Sequence, residues 1–260
     1  MFSSEFIWCD LSTFDIARAK VFYKNVFGWT ENSSSSFVDS DYTFHFSGAE
    51  EAAGIFTMPQ ILQNIGMPSF WMSYVQVAAL SDSLDCAIKL GAKCEIQPTS
   101  FDSNSRYALI RDPSGAGFTL YEGPHLQGRS LNHGRMSWNE LHVPKLEQIE
   151  EFYCGLLGWN IVRDPQSSDR HTVKSPNGVP IASILEIDES IKGPKNYWAI
   201  YFSVHNIDVA INRIIECGGD IVVSPKESDG DFALVVDDQG AAFCVAESCL
   251  LYTSPSPRDS

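Results

Sequence analysis

The chain has 260 residues, 44% of them apolar, enough for one large core or for two of roughly 120 residues each. Lys and Arg total 18 against 33 Asp and Glu, and the resulting net charge of -15 repels nucleic-acid phosphates and anionic membranes. No apolar run has bilayer-spanning length, MFSSEFIWCD has no basic region followed by an apolar one, and the seven cysteines form no CxxC pair, which points to the reducing cytoplasm.

Residues 6 to 12 alternate as a strand does, and from Thr13 to Phe27 the apolar Phe14, Ala17, Val21, Phe22 and Val26 recur at helical spacing up to Gly28, a C-cap. Three short strands follow, around Thr30, over Tyr42 to Phe46 and over Gly54 to Thr57. Trp71 to Val77 then opens a new strand and Leu80 to Leu90 a new helix, stopped by Gly91. The same βαβββ succession restarts near Trp138 and near Trp198, with helices over roughly Leu146 to Leu157 and Ile207 to Cys217. The fold class expected is α+β: four βαβββ units paired into two open β-barrel domains. Domain 1 covers 1–123 and domain 2 covers 135–248. Residues 124–134, within the Gly- and His-rich GPHLQGRSLNHG, form a linker. Whether the units pair within each half or across the halves is left open.

The halves repeat one another. FYKNVFGW at 22–29 lies over FYCGLLGW at 152–159, and Trp8 over Trp138. Trp71, Tyr74, Val77, Gly91 and Pro98 match Trp198, Tyr201, Val204, Gly218 and Pro225 at one constant offset, and YALIRDPSGAGFTLYE at 107–122 matches FALVVDDQGAAFCVAE at 232–247 position by position. The residues after Ser248, CLLYTSPSPRDS at 249–260, resemble the translation of a sequencing adapter and are expected to be a non-native tail.

These motifs resemble the vicinal oxygen chelate superfamily of glyoxalase I, bleomycin-resistance proteins and extradiol dioxygenases, and in particular its tandem glyoxalase-like subgroup, with first strands WCDLST and WNELHV. The resemblance covers residues 6 to 247 and implies a divalent metal held by side chains on the first, fourth, fifth and eighth strands of a domain. Here the first-strand position holds Trp8 or Trp138, the fifth Met72 or Ala199, and the eighth Thr119 or Cys244, while the fourth strands GIFTM and ASILE offer no carboxylate in register and Glu186 lies just beyond. Indole cannot ligate a metal, so the expectation is that no metal or other cofactor is bound. A relocated metal site would use Glu140, His142 and His171.

Strand alternation puts Ile7, Cys9 and Leu11 under the helix and leaves Trp8, Asp10 and Ser12 on the opposite face, with Trp138, Glu140 and His142 in the second half. Met72, Tyr74, Thr119, Tyr121, Tyr201 and Cys244 are expected to share that face. An aromatic, mildly acidic lining suits a flat or cationic small molecule, and Asp10 and Glu140 are candidate acid–base groups. The reading is a tandem glyoxalase-like protein, monomer or homodimer, that binds a small hydrophobic or aromatic metabolite in Trp-lined cavities without the usual metal. Partners would be that small molecule, with neither nucleic acid nor membrane. The alternatives are a metal-dependent lyase, isomerase or dioxygenase, and a non-catalytic scaffold.

Overall fold

A computed structural model describes residues 4–31, 42–64, 66–163, 167–226, 228 and 232–247. The tail expected at 249–260 lies outside them. The first half runs β1 (Phe6–Thr13), α1 (Ile16–Phe27), β2 (Thr30–Glu31), β3 (Tyr42–Ser47), β4 (Glu50–Thr57), α2 (Gln60–Asn64), β5 (Phe70–Gln76), α3 (Leu80–Lys89), β6 (Lys93–Ser100), β7 (Arg106–Arg111) and β8 (Gly117–Glu122). The second runs β9 (Met136–Val143), a 3-10 turn (Leu146–Gln148), α4 (Glu150–Leu157), β10 (Asn160–Arg163), β11 (Arg170–Lys174), β12 (Pro180–Glu186), α5 (Glu189–Lys192), β13 (Tyr197–Val204), α6 (Ile207–Glu216), β14 (Asp220–Val223), β15 (Ala233–Val236) and β16 (Ala242–Glu247). The four expected βαβββ units are present. The short helices α2 and α5 were not legible: they have five and four residues, too few for a helical period, and α2 buries none of its side chains.

The strands of the first half are ordered β2-β3-β4-β1 and β5-β8-β7-β6, and those of the second β10-β11-β12-β9 and β13-β16-β15-β14. In each group the first strand of a unit runs parallel to its last, as β1 does to β4 and β5 to β8, and the other pairings are antiparallel. These are open, mixed sheets rather than closed barrels. Helix α1 starts where the Asp15 carboxylate accepts from the Arg18 N–H, and it ends at Gly28 with φ 75°, the left-handed cap that only glycine adopts freely.

The compact units do not follow the halves of the sequence. One gathers residues 1–8, 72–128 and 139–199, the other 9–71, 129–138 and 200–260. The unit pairing that the sequence left open therefore runs across the halves. The repeated motifs explain why. In the second compact unit Tyr23, of the first FY pair, donates its hydroxyl to Asp237 Oδ2 at 2.9 Å and accepts from Trp71 Nε1 at 3.0 Å, while Trp29 donates to the Gly134 carbonyl at 2.8 Å. In the first, Tyr153 donates to Asp112 Oδ2 at 2.8 Å and accepts from Trp198 at 2.9 Å, and Trp159 donates to the Ser4 carbonyl at 2.6 Å. Each aspartate turns its other oxygen to its own tight turn: Asp112 Oδ1 accepts from the N–H groups of Ser114 and Ala116, and Asp237 Oδ1 from those of Gln239 and Ala241. Gly115 and Gly240 sit in these turns at φ 96° and 89°, which any side chain would strain. One aspartate per turn thus closes a hairpin and anchors a tyrosine of the other half.

Candidate functional site

In the first compact unit, the parallel register of β9 and β12 sets Ser183 beside Glu140 and Leu185 beside His142, and β11 sets Thr172 beside Ser183 and Arg170 beside Leu185. Residues alternate across a strand, so Glu140, His142, Ser183 and Arg170 share one face. There the Ser183 hydroxyl donates to Glu140 Oε2 at 2.7 Å, and His142 Nε2 lies 3.1 Å from Glu140 Oε1. Arg170 forms an ion pair, its Nε 2.9 Å from Glu140 Oε2 and its Nη2 donating to Glu140 Oε1 at 3.5 Å, and its side chain is 39% exposed. Tyr197, the first residue of β13, places its hydroxyl 3.1 Å from His142 Nδ1.

Glu140 and His142 are both buried. Burial alone would raise the Glu140 carboxyl, but the hydrogen bond from His142, the Arg170 charge and the Ser183 hydroxyl outweigh it and hold the group at about 2. Glu140 is thus ionised, a hydrogen-bond acceptor and a weak base, which argues against its sequence-based candidacy as an acid–base group. An ionised carboxylate accepts only, so His142 donates to Glu140 through Nε2, and its Nδ1 lies within hydrogen-bond distance of the Tyr197 hydroxyl.

His171 does not join this cluster. It alternates to the opposite face of β11, where its Nε2 lies 3.4 Å from Glu186 Oε1, long for a hydrogen bond. Glu186 in turn accepts from the Leu146 N–H at 3.1 Å and pairs with Lys145 at 3.2 Å. Glu122 and Glu247 do the same at the ends of β8 and β16, accepting from the N–H groups of Leu80 and Ile207. These strand-end glutamates cap helices. The relocated set Glu140, His142 and His171 is therefore not assembled, and among the described residues no three His, Cys, Asp or Glu side chains are grouped to hold a metal.

The remaining predicted residues are each placed in one compact unit. In the first, Trp8 is buried, Met72 is half-buried, and Tyr74 stands opposite the buried Thr119 in the register of β5 and β8. In the second, Asp10 is buried and pairs in register with Gly54, where a Cβ would overlap the Tyr42 hydroxyl, and Tyr201 stands opposite the buried Cys244. Trp138 carries the Arg129 guanidinium 5.2 Å from its ring centre, and Tyr201 meets Phe232 edge-on at 5.3 Å. Sequence reasoning found Glu140 and His142 but missed Arg170, Ser183 and Tyr197. A groove of about 400 Å³ lies elsewhere, between α1 and α6, lined by Val21, Phe22, Cys217 and Asp238 among others.

Residues 6–120 match the family described as Glyoxalase/Bleomycin resistance protein/Dioxygenase superfamily, and residues 140–246 match the Glyoxalase-like domain. The chain belongs to this superfamily and carries two copies of its domain. It is 27% identical to a Mycobacterium tuberculosis protein named "Putative glyoxylase CFP32" and 28% identical to the anthracycline biosynthesis protein DauV of Streptomyces sp. strain C5, in each case over 92% of both chains. Among solved structures it is similar to the Mn(II)-bound glyoxalase from Novosphingobium aromaticivorans, with TM-score 0.64 and 12% identity over 95% of this chain and 83% of that one. The 2,3-dioxygenase LapB from Pseudomonas sp. KL28 gives TM-score 0.62 and 14% identity over 95% and 93%. At such identities the structures speak for the fold alone.

The donors at the positions of the superfamily's metal do not fit a divalent cation. In one compact unit Trp8, Met72, Thr119 and Ala199 offer an indole, a thioether, a hydroxyl and a methyl; in the other Trp138 and Cys244 offer an indole and a buried thiol. Divalent cations take carboxylate, carbonyl or imidazole donors in convergent sets, and neither group supplies one.

Proposed function

We propose that the chain binds a small aromatic or hydrophobic metabolite on the helix-free sheet face, without the superfamily's usual metal. The observation that carries this reading is the buried cluster of Glu140, His142 and Ser183, joined by the half-exposed Arg170 and a partly exposed Tyr197. Its register equivalents in the first half are Asp10, Ser12, Gly54 and Tyr42, with Phe70 in the place of Tyr197. Both halves fold alike, so the strand pairing does not require the polar cluster. Ligand recognition is what remains for it to serve. The names of relatives in anthracycline biosynthesis favour a planar ligand.

A preference for cations, expected from the sequence, loses its basis at the second-half positions: Arg170 already neutralises Glu140 and Arg129 covers Trp138. The ligand is neutral or anionic. Six cysteines among the described residues are free thiols rather than disulfides, which supports a reducing, cytoplasmic setting. The reading is tested by titrating neutral, anionic and cationic aromatic compounds against tryptophan fluorescence and melting temperature. Neutral or anionic compounds should quench and stabilise at micromolar to millimolar concentration. A panel that does neither would leave a scaffold role.

A further inference from the structure

The two ring nitrogens of His142 join a buried carboxylate to the hydroxyl of a more exposed residue. Nε2 faces Glu140 Oε1 and Nδ1 faces the Tyr197 hydroxyl, each at 3.1 Å, and the imidazole and phenol rings lie 5.0 Å apart, tilted by 58°. Glu140 is fixed from its other side by Ser183 and Arg170. In the neutral tautomer that donates to Glu140 through Nε2, Nδ1 accepts the Tyr197 proton.

We propose that Tyr197, His142 and Glu140 form a proton-accepting relay, and that the ligand is an aromatic compound with an acidic hydroxyl, a phenol or an enol, held as its anion. This names the ligand class of the site proposed above and rests on that reading. In the step, the ligand O–H bond breaks and its electron pair stays on the ligand oxygen. The proton joins the Tyr197 oxygen as the tyrosine's own proton passes to His142 Nδ1. The products are a ligand anion and an imidazolium facing the Glu140 carboxylate, so atoms and charge balance without an added reactant. Tyr197 is the group that meets the ligand, His142 holds the proton, and Glu140 is a positioning residue that fixes the tautomer and stabilises the imidazolium.

The absence of the relay from the first half gives it meaning. Ser12 stands in the register place of His142, and Phe70 lines up with Tyr197 through the repeat that aligns Trp71 with Trp198. A packing role would be met by Ser and Phe at these places, as it is in the first half. An imidazole placed between a carboxylate and a phenol adds a path for a proton.

The test uses 7-hydroxycoumarin, whose anion has its own long-wavelength absorption band, with unsubstituted coumarin as the probe that has no proton to give. At about pH 6, below the phenol's ionisation range, the full-length protein should bind 7-hydroxycoumarin as the anion and about tenfold tighter than coumarin. Tyr197→Phe and His142→Gln should bind it as the neutral phenol and lose the preference for 7-hydroxycoumarin over coumarin. A wild-type protein that binds both probes equally, with 7-hydroxycoumarin neutral, overturns the relay and leaves the binding site standing. Failure of both probes to bind overturns the binding reading and the relay with it. A readout independent of any variant is the nitrogen-15 spectrum of His142 in the unliganded protein: the relay needs the proton on Nε2, and a proton on Nδ1 overturns it.

Discussion

Glu140 accepts from His142, two residues further along the same strand, at 3.1 Å, an arrangement only a strand's alternation allows at that separation. The ion pair that Glu140 makes with Arg170 is asymmetric in burial: Glu140 is buried, and Arg170, which neutralises it, reaches solvent.

This asymmetry sets the acid limb of stability. Glu140 is held at about 2, below its ordinary 4.5, so its contribution is fully present above 4.5 and is lost as pH falls toward 2. The shift corresponds to on the order of 3 kcal/mol. Burial instead raises Asp112 and Asp237 above their ordinary range, and their contributions are full below it and fade as pH rises through the raised values. Urea unfolding at a series of pH values should show Glu140→Gln flattening the acid limb, and Asp237→Asn flattening the opposite slope. An unchanged acid limb in Glu140→Gln would show that Glu140 is not held low.

The tyrosine anchors across the halves predict a matched pair of losses. Tyr23→Phe leaves Trp71 Nε1 and Asp237 Oδ2 without their buried partner, and Tyr153→Phe does the same to Trp198 and Asp112. Each substitution should cost about 1 to 3 kcal/mol, read as a lower urea midpoint at unchanged slope. Two neutral substitutions would mean that the anchors contribute nothing.

Because each compact unit draws on both halves, residues 1 to 128 alone should be molten, with far-ultraviolet but little near-ultraviolet dichroism. Adding residues 129 to 248 should restore the near-ultraviolet signal. A fragment 1 to 128 that melts sharply by itself would contradict the interleaved units.

The donor set predicts metal content. Protein purified without chelator should hold less than about half an equivalent of Zn, Ni, Fe or Mn, since the residues at the superfamily's metal positions supply no convergent set of donors. Stoichiometric metal that EDTA removes, with loss of ligand binding, would restore the metal-dependent reading.

Arg129 supplies a test of the ligand's charge. Arg129→Ala uncovers the Trp138 ring and should raise the affinity of cationic aromatic probes by up to about 1 kcal/mol while neutral probes change little. Equal gains for both would show that Arg129 acts as a steric cover.

Much of the fold was legible because its signals are local. The FY…GW helix ends, the glycines after the helices and the DPSG and DDQG turns each fix backbone within a few residues, and the repeat multiplied them. Two things were not legible. The FY tyrosines and turn aspartates gave no sign in sequence that they bond to each other, since Tyr23 and Asp237 are 214 positions apart. Nor could alternation alone bring Arg170 and Ser183 to Glu140: that depends on the register of β9, β12 and β11, and a shift by one residue would have sent Ser183 to the other face. Glu140 and His142 were found because they share a strand; Tyr197, on another, was not.

The interleaving of the halves sets a clock on synthesis. At ribosomal rates of about 5 to 20 residues per second, Tyr23 leaves the peptidyl transferase centre roughly ten to forty seconds before Asp237 does. Through that interval Phe22, Phe27 and Trp29, all buried in the finished protein, have not met residues 200–247 of their compact unit. The nascent chain thus presents an aromatic surface for most of its translation. Slower elongation lengthens that exposure, and chaperones that shield aromatic side chains shorten its consequences.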